Sequence, residues 1–243
     1  MLLSLGILGC QPRDTTLSPP SGRAANSALN WASHAADLRK AGNKVEAVKA
    51  YDKAIQIDPN MEVAIFNRAL IYAELGRDDE AAHARDLLLG RESPFGKQLQ
   101  GLFALNCDAN LVVGNKAVQA RDWDPALAKY KVALIYDKNS SAAYIGRGLV
   151  WAHQNKFDVA IIEFDLAIKI DAKSAPAYHN RALANLERKE FQMAVHDFTK
   201  AIEIQPTTPS SFAGRARAYE GMNELTKANE DRNTAEKLAG QPK

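Results

Sequence analysis

Cysteine is nearly missing from these 243 residues: Cys10 and Cys107 are the whole supply, so no disulfide framework beyond a single bridge can hold the fold. Aromatic residues make up 7% and the formal net charge is only +2. Without a basic patch or stacking rings, the phosphate tracking and base stacking that nucleic-acid binding relies on lack their usual residues. After the first nine residues no run is apolar enough to cross a bilayer. Five histidines, His34, His83, His153, His179 and His196, are scattered without the spacing of a metal site. "GRESPFGK" (Gly90–Lys97) has glycines one residue too far apart for a phosphate loop and no following Ser or Thr. No local signature of a nucleophile with its base is present, so neither catalysis nor a cofactor is expected.

What is present is repetition. Ala126, Ala160, Ala194 and Ala228 stand at steps of 34, as do Tyr130, Phe164 and Phe198, and Ala133, Ala167, Ala201 and Ala235. Units therefore begin at Cys107, Ser141, Ala175 and Pro209, and two more fit upstream from Ala28 and Glu62. Each reads as two helices. The first places Tyr178, Ala182 and Leu186 on one face, and the second does the same with Ala194, Phe198, Ala201 and Ile202. Gly42, Gly76, Asn155 and Asn223 sit where the first helix must end in a left-handed residue. Asp79, Asp124, Asp158 and Thr226 are expected to cap the second helix, and Pro59 and Pro206 to close it.

The first unit, with Trp31, Ala35, Leu38, Gly42, Ala47, Tyr51, Ala54 and Pro59, resembles the tetratricopeptide repeat. The resemblance implies an all-α protein, a right-handed α-solenoid of about six helix-turn-helix units with a concave groove. The expected organisation is units one and two over 28–95, a helical insertion over 96–106, units three to six over 107–240, and a tail over 241–243. Unit two departs from the pattern, with Arg85 where an aromatic is expected, and Leu99, Leu102 and Phe103 give the insertion one helical face. Unit six ends in a polar helix suited to capping such a stack.

Arg68, Arg147, Arg181 and Arg215 occupy one slot of four units. Sixteen residues beyond the last three stand Glu163, Asp197 and Asp231, whereas units one and three lack arginine and acid together. A half-buried arginine needs a counter-charge. Arg147–Glu163, Arg181–Asp197 and Arg215–Asp231 are therefore expected as structural ion pairs, with a bridge from Asp197 to Arg215 as the alternative. Arg68, followed by Ala84 with Asp86 two residues on, has the least evident partner.

In the tetratricopeptide family the first helices line the groove. Carried onto this sequence, that line includes Phe66, Leu70, Leu111, Asn115, Ile145, Leu149, His153, His179, Leu183 and Leu186. Such an apolar line implies a protein or peptide partner, an amphipathic helix or an extended segment. Asn67 and Asn180 occupy one slot of the set by which some family members grip a C-terminal carboxylate, but that set is not assembled here.

The N-terminus, "MLLSLGILGC", ends in Ile-Leu-Gly-Cys and resembles the lipobox of bacterial lipoproteins, which implies acylation of Cys10. Residues 1–10 would be the signal and 11–27, rich in Pro, Ser and Thr, a flexible polar tether. The expectation is a non-catalytic scaffold in the bacterial cell envelope, touching the membrane through its lipid anchor alone. The alternatives are a cytosolic adaptor without the anchor and an accessory subunit of an enzyme.

Overall fold

A computed structural model describes residues 19–22 and 27–240. The expected signal, Cys10 and all of the tether except 19–22 and Ser27 lie outside the described residues. Twelve helices are described, and no strand is among them. They are α1 (Ala28–Lys40), α2 (Lys44–Ile57), α3 (Glu62–Glu74), α4 (Asp78–Gly90), α5 (Pro94–Gln119), α6 (Trp123–Tyr136), α7 (Ser141–His153), α8 (Phe157–Ile170), α9 (Ala175–Glu187), α10 (Phe191–Ile204), α11 (Pro209–Gly221) and α12 (Leu225–Ala239). None is long and apolar enough to cross a membrane. The helices pair in sequence, and the chain forms two compact units, the first ending at Gln100 and the second running from Gly101.

In the first unit α1 packs on α2, α2 on α3 and α3 on α4. The core consists of small residues on facing helices, Ala35, Ala47, Ala54, Ala64 and Ala69, all fully buried, with Tyr51 and Ile71 between them. Gly42 and Gly76 end their helices at φ +84° and +70°, where a side chain would be strained. Arg85, in the aromatic slot, is buried with its Nε and Nη2 on Asp86 Oδ1 at 2.9 and 2.8 Å.

In the second unit the aromatic of α6, α8 and α10 fills the gap to the next pair. Tyr130 packs with Ala126 and Val150, Phe164 with Ala160 and Ala184, and Phe198 with Ala194 and Ala218. These pairings run from one repeat to the next, so the 34-residue step of the sequence becomes a stack. First helices also touch one another, α7 with α9 and α9 with α11, and make one continuous face.

One detail differs from expectation. The second helices begin at Asp78, Trp123, Phe157 and Leu225, so Asp79, Asp124, Asp158 and Thr226 lie inside the first turn and are not caps. The three carboxylates there act on the helix dipole instead. Side-chain caps come from Ser27 on α1 and Ser140 on α7. The insertion over 96–106 is helical. Residues 96–106 run without a break into the first helix of unit three, giving the 26-residue α5, because nothing from Pro94 to Gln119 interrupts its helical pattern.

Candidate peptide-binding site

The face made by α7 and α9 contains a cleft of about 210 Å³. Leu149, Ala152 and His153 enter it from α7, and Asn180, Leu183 and Glu187 from α9. Phe157 and Phe164 of α8 line it further, and Phe164 is fully buried. Apolar walls under a polar rim suit a partner's aliphatic side chain whose backbone meets the amide of Asn180. His153 is exposed and lies flat against Trp123, with ring centroids 5.3 Å apart and planes at 17°. Its place at the cleft edge is thus set by stacking.

Of the ten residues expected in the groove, the structure brings Leu149, His153 and Leu183 together in this cleft. Ile145 and Leu111 are half-buried and pack against the Phe164 and Tyr130 clusters. Asn115 is exposed and accepts a 2.6 Å hydrogen bond from Tyr130 Oη. His179 is half-buried, with Nδ1 2.9 Å from Ser211 Oγ and its ring edge-on to Phe198. Burial pushes its pKa below the ordinary imidazole value. Leu186 is a correction: it is 6% exposed and sits in the core with Phe198 and Ala218, because its face of α9 turns toward α10. Phe66, in the first unit, is another. Its ring is buried 5.2 Å from that of Phe95, whose helix covers it, while Leu70 beside it is half-buried. Ala152 and Glu187 were not anticipated, although the 34-residue step places both on first helices.

The arginine row is occupied by the scaffold. Arg147 Nη2 meets Glu163 Oε2 at 2.6 Å. Arg181 grips Asp197 with Nε and Nη2 at 2.8 and 2.6 Å, and its Nη1 reaches back to Asp165 of the preceding repeat at 2.6 Å. Arg215 holds Asp231 at 2.7 and 2.8 Å and reaches back to Thr199 at 3.1 Å. The hydrogen bonds that these two guanidiniums donate to Asp197 and Asp231 push their pKa values up, against the opposing effect of burial. Arg68 pairs with Asp52, not Asp86, and its buried Nε has no hydrogen-bond partner.

Profiles of the tetratricopeptide repeat match residues 38–61, 114–175 and 175–208. The matched stretches are similar to tetratricopeptide repeats. A tetratricopeptide repeat and J domain-containing co-chaperone, DNJ1 of Fusarium oxysporum f. sp. lycopersici, is 28% identical over 139 residues, which is 57% of this chain. The chain spans a quarter of that relative's length, 25%. Among solved structures, MamA protein is 18% identical at a TM-score of 0.44, over 87% of this chain and 91% of that one. The second tetratricopeptide domain of Spaghetti (RPAP3), solved with the HSP90 peptide SRMEEVD, is 26% identical at 0.41, over 42% of this chain and 94% of that one. Among the described residues of these repeats, no group of three or more His, Cys, Asp or Glu is placed to hold a metal ion.

Proposed function

We propose that this protein is a non-catalytic interaction adaptor that takes an apolar segment of a partner protein on the first-helix face of its C-terminal repeats. The carrying observation is the cleft between α7 and α9, where Leu149 and Leu183 stand half-buried over Phe164. An anchor side chain of the partner fills it, and the flanking residues run over α7 and α9. Desolvating a few such apolar contacts supplies most of the affinity, as in other helix or peptide docking sites.

Leu149→Glu with Leu183→Glu tests this against an immobilised library of amphipathic helical peptides. The expected result is loss of at least about tenfold in affinity for every peptide the parent binds, a change of roughly 1.4 kcal/mol. Retained binding with unchanged helicity sinks the groove reading.

The adaptor is further proposed to be tethered at Cys10 to a bacterial envelope membrane. The Ile-Leu-Gly-Cys sequence and the Pro/Ser/Thr-rich stretch after it support this. Membrane fractionation of the parent beside Cys10→Ser, with the intact mass of the mature N-terminus, decides it. An acylated chain beginning at Cys10, released by the serine substitution, is the expected result. A soluble parent that keeps Met1 removes the tether and leaves the adaptor.

A further inference from the structure

Arg68, Arg147, Arg181 and Arg215 share one slot of the repeat, and the preceding second helix meets three of them. Asp52 of α2 holds Arg68, Asp165 of α8 lies 2.6 Å from Arg181, and Thr199 of α10 lies 3.1 Å from Arg215. In the first repeat that slot is His34, and the place sixteen residues on is Ala50. An imidazole and a methyl group thus stand where the last three repeats put a guanidinium and a carboxylate. Among the described residues no helix precedes α1. On this side of the repeat there is a cavity of about 390 Å³, lined by Trp31, His34 and Leu38 of α1, Ala50 of α2 and Pro19. The charged residues that line it, Glu46, Lys49 and Lys53, are exposed and leave one net positive charge. The terminal stacking face of a repeat array needs a cover.

We infer that the stretch Asp14–Ser18 of this same chain occupies the cavity and caps the first repeat, with Leu17 seated on Trp31 and Leu38. The chain leaves the described residues at Pro19, which is itself part of the cavity wall. Two residues of chain span at most about 7 Å, so Leu17 is within reach of the same wall. Leu17 is the one large apolar residue between Cys10 and Pro19, and Asp14 gives "DTTLS" one negative charge, opposite to that of the lining. Proline disfavours helix in the residue before it, so Pro19 and Pro20 favour an extended approach, and fewer conformations are lost on docking. Ala50 leaves room for the leucine that an arginine–acid pair would fill. The extended strap takes the place that α2, α8 and α10 take in later repeats. None of the α7–α9 cleft residues takes part, so the cap stands or falls apart from the adaptor reading.

Amide exchange read by mass spectrometry on the full chain, with Cys10→Ser so that no acyl group contributes, tests this. Leu17→Ser should speed exchange in α1 and α2 by at least about fivefold and leave α7 to α10 unchanged, while Leu17→Met keeps the parent rates. In a Trp31→Ala background the further effect of Leu17→Ser should vanish, because both substitutions remove one contact. The rates should be the same at every protein concentration. Parent rates in Leu17→Ser overturn the inference and leave the cavity to a partner protein. Equal effects of Leu17→Ser with and without Trp31 put the segment elsewhere and overturn it too. Protection of α1 and α2 that rises with concentration assigns the cavity to a second copy and overturns the cap within one chain.

Discussion

Arg68 and Arg181 do the same work with different completeness. Both reach back sixteen residues to an aspartate, Asp52 and Asp165, but only Arg181 also has an acid, Asp197, sixteen residues ahead. The corresponding position for Arg68 is Ala84, and the Arg68 Nε stays buried and unpaired. A buried donor without an acceptor costs about 1–3 kcal/mol. Ala84→Asp therefore recreates the Arg181 arrangement and should raise the thermal midpoint. A lower midpoint would mean that the slot has no room for a carboxylate. His179 carries a second prediction at this scale. Its folded pKa is depressed by burial, so the unfolded chain takes up its proton first. Its contribution is complete above the ordinary imidazole value and is lost as pH falls through it, below about 6.5. Denaturant midpoints of the parent should thus fall more steeply on acidification than those of His179→Gln; parallel curves would contradict this.

Within elements, glycine has opposite meanings at two places. A Cβ on Gly148 of α7 would lie 2.4 Å from Phe164 Cε1, and Phe164 is fully enclosed and cannot retreat. On Gly101 of α5 a Cβ would meet nothing within 4 Å. Gly148→Ala is expected to destabilise by about 1–3 kcal/mol through overpacking, and Gly101→Ala to stabilise by roughly 0.5–1 kcal/mol through helix propensity. Urea midpoints that move in the same direction would refute the contrast. The left-handed helix ends show how far local pattern carries. Gly42, Gly76, Asn155 and Asn223 stand out by residue type and all have positive φ. Arg121 and Lys189 share that conformation, at +61° and +64°, without any preference that announces it. There the close packing of the next helix imposes a turn the residue itself disfavours.

Across the molecule, each repeat leans on its neighbours in sequence, so stability is expected to be graded along a stack. In the second unit α8 and α9 have repeats on both sides, whereas among the described residues α12 packs mainly on α11. Amide exchange should be slowest in α8 and α9 and fastest in α12; uniform protection would show instead a single cooperative block. The period of 34, the helix pairs, the small residues at the crossings and the aromatic wedges follow from the sequence by itself, because each depends on residue size at a fixed step. The surface was decided only by tertiary structure. Leu183 and Leu186 are identical in type and three residues apart, yet one lines the cleft and the other lies under Phe198. Phe66 reads as a groove residue until Phe95 covers it. Asp52, not Asp86, holds Arg68. In each case the outcome depends on which side chain of another helix arrives first, and no periodicity within one helix encodes that.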